Sequence, residues 1–196
     1  MANDWNKVWQ EREQKPLLFD PWLKRVLPLL PQGKLLDIAC GRGRNALPMA
    51  ELGYAVTALD ASSQGLSQLA DEARRRGLAI TTLQQDLEQS LQLPKAAFDV
   101  VLQFFYLQRS LFDAVRDAVR PGGVAVVRTF SRAGSFAGGP GNPDYVLEVG
   151  ELLTLFQGWE ILLHEEGLDE AERGGNLAGI VARKPRLETE RDALCA

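Results

Sequence analysis

The chain has 196 residues, of which 45% are hydrophobic and 24% charged, and its formal net charge is −4. This length and composition are typical of one globular domain with a full core, and the acidic balance lacks the basic footprint of a generic nucleic-acid binder. No apolar run is long enough to span a membrane, and Cys40 and Cys195 lie far apart. We therefore expect a cytoplasmic protein with no membrane segment, no nucleic-acid partner and no disulfide.

The N-terminal stretch MANDWNKVWQEREQ is polar and amphipathic and does not resemble a signal peptide. Trp5 and Trp9 are spaced i, i+4, which places both rings on one face of a helix. We predict a helical lid over about residues 1–30. A helix packed on the flank of a sheet is the alternative.

Strands then alternate with helices along the chain. In chain order, we predict a strand at 33–39, a helix at 43–53, a strand at 54–60, a helix at 62–77, strands at 78–86 and 98–104, a helix at 109–123 and a strand at 124–130. Repeated units of this kind predict a parallel sheet covered by helices on both faces.

The C-terminal third begins with a glycine- and proline-rich loop at 131–145, which is long for a connection in a compact domain. A helix at 147–158 and two strands at 159–168 and 176–185 follow, and the polar break between the strands suggests a hairpin. We predict one α/β domain over residues 1–185, with a Rossmann-like, doubly wound, mostly parallel sheet and an antiparallel hairpin strand. Residues 186–196 form a polar tail.

The first strand leads into the glycine-rich turn CGRGR, and Asp37 stands just before this turn. Glycines let the backbone approach a ligand, and the following helix offers N–H groups to an anion. Such a turn suits both NAD and S-adenosylmethionine. The charge of Asp37 repels a pyrophosphate but attracts the ammonium group of S-adenosylmethionine, which favours the second cofactor. Arg42 and Arg44 weaken this distinction because either could neutralise a phosphate, and Asp37 could simply cap the turn.

Acidic residues also end the next two strands. Asp60 follows the second strand, where a carboxylate commonly accepts hydrogen bonds from ribose hydroxyls. Asp86 ends the third strand, where it could accept from an adenine amino group or cap the turn that follows. Gln103 ends the fourth strand beside the same ligand position.

These motifs in this order resemble the class I S-adenosylmethionine-dependent methyltransferases, through D-x-A-C-G-x-G at 37–43, the acids Asp60 and Asp86, FDVV at 98–101 and RPGG at 120–123. The segment CGRGRNALPMAELGYAVTALDAS is similar to the tellurite-resistance (TehB-like) branch. The resemblance implies a seven-stranded sheet and S-adenosylmethionine as cofactor. It implies cofactor contacts at Asp37, Ala39, Gly41, Gly43, Asn45, Asp60, Ala61, Asp86, Leu87 and Gln103.

The acceptor is expected to be a small molecule that receives the methyl group by in-line transfer. This acceptor could be anionic, a thiol or a chalcogen oxyanion. The candidates to face it are Tyr106, Arg109, Arg128 and Arg132, and three converging arginines would suit an anionic or carboxylate-bearing molecule. His164, the only histidine, lies within a strand and is not expected to be catalytic. No metal site is predicted. An NAD-dependent oxidoreductase and a non-catalytic S-adenosylmethionine-binding protein remain the alternatives.

Overall fold

The structure is a computed structural model that describes residues 4–12, 15–88, 93–172 and 174–186. The predicted C-terminal tail therefore lies outside the described residues apart from Arg186, and so does Cys195.

Within these residues, seven strands form one sheet and six α-helices surround it. The strands are β1 (Lys34–Ile38), β2 (Ala55–Asp60), β3 (Ile80–Gln84), β4 (Phe98–Phe104), β5 (Val119–Phe130), β6 (Glu160–Glu170) and β7 (Asn176–Arg183). The helices are α1 (Trp5–Glu11), α2 (Pro21–Val26), α3 (Ala46–Glu51), α4 (Ser63–Arg76), α5 (Phe112–Ala118) and α6 (Glu151–Leu155).

The strand order in the sheet is β3-β2-β1-β4-β5-β7-β6. Strands β1 to β5 pair in parallel, and β7 is antiparallel to both β5 and β6. The order reverses between β1 and β4, and in doubly wound sheets ligands bind beyond the carboxyl ends of the strands at this position. The predicted fold, with its reversed C-terminal hairpin, is confirmed.

Side chains of the buried strands alternate between two core layers. On β1, Leu35 packs in the layer that includes Trp22 of α2, Met49 of α3 and Leu69 of α4. Leu36 packs on the opposite face, with side chains from α5 and α6. Helices therefore cover both faces of the sheet, and the rigid sheet fixes the position of the strand ends.

Some element boundaries differ from the prediction. The helix expected at 43–53 begins only at Ala46, because residues 41–45 form successive turns. The helix expected at 109–123 is a 3₁₀ turn followed by α5, which ends at Ala118. Arg120 precedes Pro121, which disfavours helical backbone there, and β5 starts at Val119 instead of 124.

The helix expected at 147–158 is shorter, and α6 spans only Glu151–Leu155. Gly150, in a left-handed conformation, precedes it. No helix in the described part of the chain is both long and apolar enough to cross a membrane.

Candidate functional site

A cavity of about 900 Å³ lies at the carboxyl ends of β1 to β5, at the upper end of the range for small-molecule sites. Its lining includes most of the residues predicted from sequence. These are Asp37, Ala39, Gly41, Asn45, Asp60, Ala61, Asp86, Leu87 and Tyr106. The fold thus brings together residues from four strand ends that are far apart in the chain.

Asp60 fastens the glycine turn to the end of β2. One carboxylate oxygen accepts a hydrogen bond from the N–H of Gly41 (2.7 Å) and the other from the N–H of Ser62 (2.8 Å). Burial raises the pKa of Asp60, while these backbone donors lower it. The N–H of Ala61 is a third backbone donor, which leaves one of the four lone-pair sites of the carboxylate for a hydroxyl donor in the cavity.

Asp37 is buried near the carboxyl end of β1 and lines the cavity. Its Oδ2 atom finds no hydrogen-bond partner among the described residues. Desolvation and the nearby charge of Asp60 raise the pKa of Asp37 to about 7, against opposing effects of the Ala46 N–H and Arg44. A buried carboxylate oxygen of this kind is costly unless a cation or donor pairs with it. The position is suited to a cationic ligand group.

Two residues of the cavity wall have strained backbone. Ala39 and Phe105 both have φ of 55°, in the left-handed region that non-glycine residues rarely adopt. They lie just beyond β1 and β4, on the two sides of the point where strand order reverses. Strain of this type is commonly found at ligand sites, where surrounding structure holds it in place.

Helix α1 packs directly on the glycine turn. A Cβ atom placed on Gly41 would come within 2.5 Å of the Trp9 ring, so only glycine lets the indole approach this closely. Trp5 stacks on Trp9 with ring centroids 6.2 Å apart, and both line the cavity. The Asn6 Oδ1 atom accepts from the hydroxyl of Ser62 at 2.7 Å. The predicted aromatic face therefore points at the site.

Arg42 and Arg44 of the glycine turn hold the chain that follows α1. Arg42 donates to the carbonyl oxygens of Arg12 and Lys15. Arg44 donates to the carbonyl of Leu18 (3.2 Å) and to the carboxylate of Asp20 (3.3 Å). We call α1 together with residues 15–20 the N-terminal cover.

Two predicted cofactor residues do not line the cavity. A Cβ on Gly43 would lie 2.3 Å from Leu69, so Gly43 serves the packing of the turn on α4. Gln103 is fully buried behind the wall and donates to the carbonyl of Tyr106 at 3.0 Å. Gln103 therefore supports the turn after β4 that carries Tyr106.

The three arginines expected to converge on the acceptor do not line this cavity. Each is paired with a carboxylate elsewhere. The pairs are Arg109 with Glu151 (2.6 Å), Arg128 with Asp169 (2.8 Å) and Arg132 with Glu148 (2.9 Å). Sequence order places these residues after strand ends but says nothing of the carboxylates that neutralise them.

His164 pairs with Ile180 of β7, within the sheet. It does not line the cavity. Within the described residues, no cluster of three or more His, Cys, Asp or Glu side chains is arranged to hold a metal ion.

Sequence reasoning missed an aromatic wall on the β4–β5 side of the cavity. Phe105 and Phe130 meet edge to face at 5.8 Å, and Ala171 and Glu172 from the β6–β7 connection complete this side. The run FFY after β4 was the available signal for Phe105. Nothing local marked Phe130, because its neighbours come from distant segments.

Residues 35–123 match the methyltransferase domain family. The ubiquinone biosynthesis O-methyltransferase of Caulobacter vibrioides is 37% identical over 103 residues, which cover 50% of this chain and 41% of that protein. The chain thus spans about two fifths of the length of the curated relatives it matches.

Two solved structures share the fold over nearly the whole chain. TehB from Haemophilus influenzae has a TM-score of 0.74 at 18% identity, covering 92% of this chain and 67% of that one. A structure from work on the conversion of a disulfide bond into a thioacetal group during echinomycin biosynthesis has a TM-score of 0.71 at 24% identity, covering 97% and 94%. Residues 35–123 are therefore similar to the methyltransferase domain family, and the chain shares its fold with these two solved structures.

Proposed function

We propose that this chain transfers a methyl group from S-adenosylmethionine to a small-molecule acceptor held in the same cavity. The observation that carries the proposal is the buried Oδ2 atom of Asp37, which has no partner among the described residues and belongs to a side chain that lines the cavity beside the glycine turn. An ammonium group is the ligand moiety that such an oxygen favours, whereas a diphosphate is repelled.

The residues at the strand ends fit this cofactor. Asp37 would hold the amino group, and the turn at Ala39 and Gly41 would lie along the methionine part. Asp60 retains a lone pair for a ribose hydroxyl, and Asp86 and Leu87 would line the adenine end. Asn45 is buried and accepts from the Asp20 N–H, so it braces the turn against the N-terminal cover.

When bound, S-adenosylmethionine supplies an electrophilic methyl group on a sulfonium. The task of the chain is then to orient the acceptor in line with that group and to exclude water. Orientation of this kind contributes about 7–11 kcal/mol to a displacement. The strained turns at Ala39 and Phe105, fixed by the sheet, give the rigid walls that such alignment needs.

We assign the N-terminal cover the role of a lid, within a single methyltransferase domain over residues 1–185 that includes a helical N-terminus of about 1–30. In support, α1 packs on the glycine turn through Trp9, and none of its residues is fully buried. An element held mainly by contacts at the cavity can open without unfolding the core. The enclosure that it provides suits an acceptor of small size.

Calorimetry with S-adenosylmethionine, S-adenosylhomocysteine and NAD tests the proposal. We expect both sulfur compounds to bind to the purified protein and NAD to bind at least a hundredfold more weakly. NAD binding of equal strength would overturn the assignment and favour an oxidoreductase.

A turnover assay separates an enzyme from a protein that only binds the cofactor. Radiolabelled S-adenosylmethionine is offered with thiols, phenols and chalcogen oxyanions, and transfer of the label to at least one of them is expected. Binding without transfer to any class would support the non-catalytic alternative.

A further inference from the structure

The cavity divides into two halves along the order of the strands. Carboxylates from the ends of β1, β2 and β3 line one half, where the cofactor residues lie. The ends of β4 and β5 and the β6–β7 connection line the other half, with Phe104, Phe105, Tyr106, Phe130, Ala171 and Glu172. The proposed cofactor occupies the first half, so the second is the space left for the acceptor.

The wall of this second half is aromatic and rigid. Phe130 ends β5, and Phe105 is held in its strained backbone by a hydrogen bond from its N–H to the Arg128 carbonyl (2.8 Å). Behind Phe130, the glycines of the 131–145 loop pack on the β6–β7 connection. The N–H of Gly175 donates to the Ala137 carbonyl at 2.8 Å, and a Cβ on Gly139 would lie 3.7 Å from the Phe130 ring. The unusual loop thus backs the aromatic wall.

Carboxylates and one arginine lie beside the aromatic wall of this half. Glu172 lines its edge, and the carboxylates of Glu88 and Asp86 lie near the Tyr106 phenol, whose pKa is raised chiefly by burial and further by these two charges. Arg44 lies over the Phe105 ring at 5.4 Å, but its N–H groups are directed to Leu18 and Asp20. An anion entering here would meet carboxylates and a protonated phenol.

We infer that the acceptor is an uncharged small molecule with a flat apolar body that packs against Phe105 and Phe130, and not a free oxyanion. The inference rests on the proposed function, because it assigns the first half of the cavity to the cofactor. Aromatic rings favour flat apolar partners in offset or edge-to-face contact. Tyr106, kept protonated, is available to donate a hydrogen bond to a polar group on that body.

The test uses protein saturated with S-adenosylhomocysteine, so that no turnover occurs, and calorimetric titration with three probes. These are 2-naphthol, 2-naphthoate, which has the same shape with a negative charge, and selenite. We expect 2-naphthol to bind at least tenfold more tightly than either anion. Phe130→Ala should weaken 2-naphthol binding at least fivefold without changing the affinity for S-adenosylhomocysteine. The 2-naphthol affinity of Phe130→Leu should lie between those of the native protein and Phe130→Ala.

The matched control is Phe136→Ala, which removes an exposed ring of the adjoining 131–145 loop that does not line the cavity. It should leave all affinities unchanged. Tighter binding of selenite or 2-naphthoate, no binding of 2-naphthol, or 2-naphthol binding indifferent to Phe130→Ala would each overturn the inference. Failure of S-adenosylhomocysteine to bind would instead refute the proposed function itself, so the two failures are distinguishable.

Discussion

Asp37 is the residue in which stability and binding conflict most directly. Folding buries its carboxyl beside Asp60 and raises its pKa from 3.8 to about 7. Because the folded value exceeds the unfolded one, the folded state favours the protonated acid. The stability linked to this group is therefore full below about pH 4 and is lost as the pH rises through 7. At about 1.4 kcal/mol for each pKa unit, the penalty at alkaline pH is on the order of 4 kcal/mol.

Asp37→Asn should stabilise the ligand-free protein at pH 8, since a neutral amide avoids the buried charge. We expect a Tm higher by about 4 °C or more at pH 8 and by much less at pH 5, because one kcal/mol corresponds to about 2–4 °C at this size. The same variant should bind S-adenosylmethionine about 10–100-fold more weakly, the usual magnitude for a lost charged hydrogen bond. Thermal unfolding and calorimetry measure the two effects.

Asp71→Asn is the control, because it removes an exposed carboxylate of α4 that pairs only with a neighbouring arginine on the same helix. It should change neither quantity. A loss of stability in Asp37→Asn at pH 8 would show that the carboxylate is satisfied within the protein.

The affinity for S-adenosylmethionine should itself depend on pH. Protonation of Asp37 removes the charge that holds the ammonium group, so affinity should fall by up to about tenfold per pH unit below 7. Titrations between pH 5.5 and 8.5 should show this slope in the native protein and not in Asp37→Asn. Asp60 and Arg44, the other charges beside the carboxyl, act in both proteins and so cancel in the comparison.

At the residue scale, the sequence predicts a role best where a glycine shapes a turn or where a carboxylate stands at a strand end. Asp37, Gly41 and Asp60 could be assigned because their positions at strand ends determine what they face. The arginines could not, since the partner that neutralises each one lies 16 or more residues away along the chain.

At the scale of elements, the N-terminal cover contacts the cavity although its helix α1 buries little surface in the core. None of the α1 residues is fully buried, yet Trp9 contacts the glycine turn, and the Gln68 side chain donates to the Trp9 carbonyl. Helix α1 is therefore expected to contribute more to retention of the cofactor than to the free energy of unfolding.

Trp9→Ala should accelerate dissociation of S-adenosylhomocysteine about tenfold while shifting Tm by no more than a few degrees. Trp5→Ala removes an equally large ring from the same face, but that ring is 39% exposed, and it is the Trp9 ring that lies against Gly41. Its effect on dissociation should be several-fold smaller. Stopped-flow measurements give the dissociation rate of S-adenosylhomocysteine from each variant. Equal rates in Trp9→Ala and Trp5→Ala would refute the role of the N-terminal cover as a lid.

The order and type of the elements could be predicted because each strand and helix carries its own period and turn residues. Strand β4 begins and ends as the pattern indicates, at Phe98 and Phe104. The start of α3 could not be predicted, because successive turns at 41–45 delay it to Ala46. The end of α5 could not be placed fully, because besides the local effect of Pro121 the pairing of Val119 with the distant Phe98 begins β5 there.

At the scale of the whole molecule, the docking of α2 joins the N-terminal segment to the C-terminal hairpin. The Trp22 ring lies against Gly179 of β7, donates to the Glu165 carboxylate of β6 at 2.8 Å, and lies 5.0 Å from the Arg128 guanidinium. A Cβ on Gly179 would come within 2.5 Å of the indole. The two ends of the fold thus meet at one glycine.

Gly179→Ala should therefore lower the free energy of unfolding by about 1–3 kcal/mol, the usual cost of overpacking a core. Gly141→Ala is the matched control, because a Cβ there meets no atom within 4 Å. Urea unfolding compares the two variants. Equal stabilities would mean that α2 can shift without cost.

The fastening by Arg42 and Arg44 has a kinetic consequence. The glycine turn CGRGR lies along the proposed cofactor. Its Arg42 and Arg44 side chains also donate hydrogen bonds to the segment that covers the cavity. S-adenosylhomocysteine that leaves beneath Trp9 disturbs this turn and therefore the arginine contacts. Dissociation of the cofactor product and opening of the N-terminal cover are then coupled in one step. Departure of the demethylated product, rather than the displacement step, is then expected to limit the turnover rate.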